Sequence, residues 1–148
     1  MRILRIILAT VAAIGLTSAL SAADREPSLY ERLGGKPAIQ AVASDLVDRI
    51  LLDQRVNKWF AHAAATPENA SAYKAKLADF LCQNTGGPCQ YTGRDMVTAH
   101  KGRGVTSDAF NAVVQDLTAA LDKFKVPQKE KTDLLGIVAT LKSSIVQK

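Results

Sequence analysis

The sequence predicts an all-α domain. Three observations carry that reading. Apolar residues recur at spacings of three and four along most of the chain, and nowhere alternate with the two-residue period of a strand. Helix-start residues precede the apolar stripes, and glycine or proline stands where several of them stop. Hydrophobic residues make up 47% of the 148 positions, enough for one packed core and too many for a disordered chain.

Residues 1–23 read as a secretory signal. Arg2 and Arg5 give a positive start, Ile6 to Leu16 is apolar, and Ser18-Ala19-Leu20-Ser21-Ala22-Ala23 supplies small residues for cleavage after Ser21 or Ala23. The apolar stretch is shorter than the roughly 20 residues that span a bilayer, so no stable membrane anchor is expected after cleavage. No cysteine stands at the cleavage site, which argues against a lipid anchor. The mature domain, residues 24–148, is expected in the periplasm or outside the cell.

Ser28-Leu29-Tyr30-Glu31 is a capping box that opens a short helix, stopped by Gly34-Gly35. Pro37 suits the first turn of a second helix, which buries Ile39, Val42, Ala43, Leu46 and Ile50. A short turn is expected around Val56–Phe60, and residues 61–66 read as a loop. Thr66-Pro67 caps a third helix with Tyr73, Leu77, Phe80 and Leu81 on one face. Gly86-Gly87-Pro88 ends it. Asp95 precedes a short helix carrying Met96 and His100, broken by Gly102 and Gly104. Thr106 or Ser107 caps a long helix with a stripe of Phe110, Val113, Val114, Leu117, Leu121 and Phe124. Pro127 opens the last helix, with Leu134, Val138, Leu141 and Ile145 inward.

Composition narrows the chemistry. The formal charge is +5, from 19 basic and 14 acidic residues. The basic residues are scattered and form no dense run, so a nucleic-acid partner is not indicated. Two cysteines exclude a disulfide-dense scaffold and a four-cysteine zinc or iron–sulfur site. There is no Cys-x-x-Cys-His, so haem is not attached in the c-type manner. Cys82 and Cys89 flank the glycine turn. In an oxidising compartment they bridge and pin the third helix to the following loop, unless they remain two free thiols.

The two histidines are His62 and His100. His100 follows Met96 by one helical turn and shares its face. From spacing alone it is either a metal-ligating histidine beside an apolar contact or a surface histidine on a short helix.

The ordered motifs decide between these. Leu29-Tyr30-Glu31-Arg32-Leu33-Gly34-Gly35 begins the mature domain and Trp59-Phe60 follows the second helix. Thr85-Gly86-Gly87-Pro88, Tyr91-Thr92-Gly93-Arg94, Met96, His100 and Gly102-Arg103-Gly104 follow the third. Over about residues 28–146 this series resembles the group I truncated haemoglobins. The resemblance implies a truncated globin, a two-over-two helical sandwich around non-covalent haem b (iron protoporphyrin IX), with His100 as proximal iron ligand. It implies an apolar cage of Val47, Phe60, Leu77, Phe80, Leu81, Tyr91 and Met96, with Lys76 and Arg94 pairing the haem propionates. It also implies binding of dioxygen, nitric oxide or carbon monoxide, for oxygen binding and transport or for nitric oxide detoxification, with a reductase if the protein turns over. The sequence departs from the family on the ligand side. Many members place tyrosine at the position of Val47 and glutamine at that of Leu77, so Tyr73, one turn before Leu77, is the candidate donor to the bound ligand. The competing expectation is an exported, cofactor-free helical protein that binds a partner through an apolar groove.

Overall fold

The computed structural model describes residues 25–147. The expected signal segment and its cleavage site lie outside these residues.

Helix α1 (Leu29–Arg32) starts at the capping box: Ser28 Oγ accepts the Glu31 backbone N–H at 3.2 Å, and the Glu31 carboxylate accepts the Ser28 N–H at 2.7 Å. Helix α2 (Gly35–Leu52) follows Gly34, whose φ of 100° lets the chain turn directly from one helix into the next. A 3₁₀ turn (Asn57–Phe60) leads into α3 (Ala61–Ala64) and then α4 (Pro67–Asn84), where Thr66 Oγ1 accepts the Asn69 N–H at 3.1 Å. Helix α5 (Met96–His100) is capped by Asp95, and α6 (Ser107–Lys123) by Thr106. Helices α7 (Gln128–Thr140) and α8 (Lys142–Ile145) close the chain. Among the described residues there is no strand, and no helix is long and apolar enough to cross a membrane.

Helix α2 packs against α4 and α6, and α6 packs against α7 and α8, which gives two helical layers. Ile50, Val56, Leu121 and Leu134 fill the space between them and are essentially inaccessible to solvent. Each such side chain contributes about 1.5–3 kcal/mol by leaving water. Arg32 ties α1 to α7 through Glu130 at 2.7 Å and Asp133 at 2.6 Å.

Three local expectations are corrected. Residues 61–66 are not all loop, because Ala61, Ala63 and Ala64 favour helix and Ala63 is buried where α3 meets α4. Phe124 does not continue the buried stripe of α6. It is the residue that ends the helix, and it is 41% exposed. The last helix is two helices, interrupted at Leu141.

The end of α4 is fastened twice. Cys82 is bonded to Cys89 in the structure, with Cα atoms 5.7 Å apart, and the Tyr30 N–H donates to the Thr85 carbonyl at 2.8 Å. Gly87 lies in this crowded junction. A Cβ there would sit 2.5 Å from the Tyr30 ring and 2.6 Å from Cys82 Sγ, so no larger residue fits without displacing one of them.

Candidate functional site

The two layers leave a cavity of about 320 Å³ between them, at the lower end of the usual range for small-molecule sites. Its lining is mostly apolar and comes from every major element. Leu46 and Ile50 come from α2, Trp59 and Phe60 from the 3₁₀ turn, and Leu77, Phe80 and Leu81 from α4. Helix α6 adds Phe110, Val113, Val114 and Leu117, and the C-terminal helices add Val138, Leu141 and Ile145.

Helix α5 presents His100 on one wall. Asp95 Oδ1 accepts the Thr98 N–H at 2.9 Å and starts the helix. Lys101 ends it, and Gly102, with φ 75°, turns the chain away. His100 Nδ1 lies 2.8 Å from the Met96 carbonyl oxygen. A carbonyl only accepts, so Nδ1 carries the proton and the Nε2 lone pair is free for a metal.

Tyr73 lines the cavity from α4. Its ring meets Phe60 edge-on, with centroids 5.7 Å apart. Burial pushes the phenol up to about 12. Nearby Tyr91 adds to the rise and Arg103 opposes it. The side chain therefore keeps its proton at any physiological pH and offers an O–H donor. Tyr91 stacks edge-on with Phe80 at 5.1 Å, and its hydroxyl donates to the Arg94 carbonyl at 3.1 Å. Burial and, secondarily, Asp95 also raise its phenol above the ordinary range.

Of the residues expected in the site, Phe60, Tyr73, Lys76, Leu77, Phe80, Leu81, Tyr91, Met96 and His100 do line this one cavity. Val47 and Arg94 do not. Val47 is fully buried, but its short side chain ends outside the lining, and Leu46 and Ile50 present the cavity face of α2 instead. Neighbouring residues differ by about 100° around a helix, so a one-residue error in choosing the face exchanges one wall for another. Arg94 is exposed, and Arg103 lines the cavity in its place. The signal for Arg103 was present in Gly102-Arg103-Gly104, where two glycines with positive φ, 75° and 63°, fold the chain back beside His100. Trp59, which the sequence marks only as part of the Trp59-Phe60 motif, also lines the cavity. Its indole N–H donates to the Arg103 carbonyl at 3.0 Å and fixes that return.

The cavity fits a haem. It offers a flat group an apolar interior, one oriented imidazole, a neutral donor on α4, and two cations, Lys76 and Arg103, for carboxylates at its edge.

Comparison with known proteins agrees with this geometry. The family model described as bacterial-like globin matches residues 28–147. The chain belongs to that family. It is 34% identical over 118 residues to the group 1 truncated hemoglobin GlbN of Mycolicibacterium paratuberculosis, covering 80% of this chain and 83% of that protein. Its structure is similar to the truncated hemoglobin of Tetrahymena pyriformis in the Fe(III) form, with 26% identity, a TM-score of 0.73, and coverage of 82% of this chain and 100% of that one. It also resembles the 2/2 hemoglobin of Synechococcus, solved in the cyanomet state with covalently attached heme, at 27% identity, TM-score 0.72, and coverage of 82% and 100%. The globin is thus an all-α truncated hemoglobin fold that binds haem non-covalently and takes a diatomic ligand there. The cofactor-free partner-binding alternative is not favoured.

Proposed function

We propose that this globin is an exported haem protein in which His100 is the proximal iron ligand and Tyr73 the donor facing the bound gas. The observation that carries the reading is the His100 imidazole on an apolar cavity wall, its Nδ1 held 2.8 Å from the Met96 carbonyl. Bound haem supplies the iron that holds the diatomic ligand. The Met96 carbonyl fixes the His100 tautomer and ring orientation. Phe60, Leu77 and Phe80 exclude water from the interior. Tyr73 donates through a hydroxyl that stays protonated, because burial holds its phenol up at about 12. Lys76 and Arg103 pair carboxylates at the rim, each through an exposed cation at the end of a long stem.

The signal-like residues 1–23 support export to the periplasm or beyond, and an oxidising compartment suits the Cys82–Cys89 bridge. Residues 24–148 then form the globin domain. Dioxygen and nitric oxide are the ligands this site suits, for oxygen binding and transport or nitric oxide detoxification, the latter with a reductase. The test is the absorption spectrum of protein purified from the periplasm, in ferric, ferrous and carbonyl forms. A Soret band that moves with oxidation state and carbon monoxide is expected. Its absence would overturn the reading.

A further inference from the structure

The charges of this protein are unevenly matched. On α1, α2, α7, the middle of α4 and the end of α6, cations meet carboxylates: Arg32 with Glu130 and Asp133, Arg49 and Lys123 with Asp45, Lys74 with Asp48, Lys131 with Asp122. The cations around the cavity mouth do not. Lys58, Lys76, Arg94, Lys101 and Arg103 are all exposed, and none has a carboxylate partner among the described residues. Away from this face, only Lys36 and Lys125 share that condition among the described residues; Lys142, also without one, stands 5.7 Å over the ring of the lining residue Phe110.

These cations lie in or next to the cavity lining. The Lys58 ammonium lies 4.2 Å over the Trp59 ring, and Trp59 bonds Arg103. The lining residue Tyr91 donates to the Arg94 backbone carbonyl, and Lys101 follows His100 directly. The carboxylate in this segment, Asp95, is committed to the N-cap of α5. Like charges gathered around one opening repel each other, and the arrangement is relieved when a negative surface arrives. Two haem carboxylates match Lys76 and Arg103, which line the cavity. Lys58, Arg94 and Lys101 remain, each next to a lining residue (Trp59, Tyr91 and His100), and Val97, one turn before Lys101 on α5, is 58% exposed.

We propose that this rim docks a protein carrying a one-electron centre behind an acidic face, with Trp59 between that face and the cavity. The proposal rests on the haem reading above. With haem bound, one electron would pass from the donor's reduced centre to ferric iron, leaving the donor oxidised and the iron ferrous, with no bond made or broken. A membrane surface would also attract the cations, and the test separates the two.

The probe is an acidic [2Fe–2S] ferredoxin, titrated calorimetrically into the full haem-loaded protein and used in stopped flow as electron donor. Haem content and absorption spectrum are recorded for every variant. Binding that weakens about tenfold or more between low and physiological salt is expected, with a further several-fold loss in Lys58→Glu and in Lys101→Glu. Lys125→Glu, away from the rim, should bind as the parent does. Reduction of the ferric form should follow the same order. Unchanged ferredoxin affinity in Lys58→Glu and Lys101→Glu would overturn the proposal. So would affinity insensitive to salt, or no ferredoxin binding alongside binding to phosphatidylserine vesicles. If the parent protein takes up no haem, the underlying reading falls with it, and the spectrum alone shows that.

Discussion

Replacing Tyr73 with Phe removes one oxygen atom from the cavity wall and little else. The ring keeps its edge-on contact with Phe60, 5.7 Å between centroids, so fold and haem content should be unchanged. What disappears is the hydroxyl proposed above as donor to the ligand, with no replacement at Val47 or Leu77. A neutral hydrogen bond is worth about 0.5–1.5 kcal/mol net. That corresponds to oxygen release faster by about twofold to about tenfold. The assay is stopped-flow dissociation of oxygen from the ferrous form. A second signature comes from pH. An ordinary tyrosine loses its proton near pH 10. Burial pushes Tyr73 up to about 12, so release from the parent should stay flat through pH 10. Equal release rates in parent and Tyr73→Phe would remove the hydroxyl from the mechanism, and a break near pH 10 in the parent would refute the burial argument.

Other expectations follow from the scaffold. Gly87→Ala should destabilise the fold by about 1–3 kcal/mol, because its Cβ would meet Tyr30 and Cys82; an unchanged melting temperature would contradict the packing described at that junction. Arg32→Met should lower the melting temperature at neutral pH. Hydrogen bonding to Arg32 holds the Asp133 carboxyl below its ordinary range, so this stabilisation is present above the unfolded carboxylate pKa and is lost as pH falls. The gap between parent and variant in thermal melts should therefore narrow in acid. Asp116 has the opposite sign. Burial, aided by Asp53, raises its carboxyl, and one of its oxygens is buried without a hydrogen-bond partner. Its neutral form suits the fold, so stability is lost as pH rises through the raised value. Asp116→Asn should raise the melting temperature at neutral pH and have little effect in acid; a uniform shift at all pH values would show that ionisation is not the cause.

The helices were legible because capping and periodicity are local. Ser28, Thr66, Asp95 and Thr106 all cap where they stand in the sequence. The place of His100 on the cavity wall was legible from the ordered motifs around it and the family they resemble, whereas its spacing to Met96 alone left a surface histidine open. The finer site was not, for physical reasons. Phe110, Val113, Val114 and Leu117 read as an ordinary core stripe, and nothing in a stripe says that part of it faces a cavity. The exchange of Val47 for Leu46 and Ile50 turns on helix rotation, which packing decides. Arg103 reaches the site through a two-glycine return and the Trp59 hydrogen bond, a contact 44 residues apart in sequence. Arg32 with Glu130 and Asp133 is likewise non-local, and its members sit on surfaces that sequence alone makes look solvated.

The central claim is that His100 holds the haem. It is tested most directly by His100→Gly, with exogenous imidazole added to the purified protein. The account predicts that haem retention and the parent Soret spectrum are largely lost in the variant and return as imidazole fills the vacated position. A variant that keeps the parent haem content and spectrum without imidazole would contradict it.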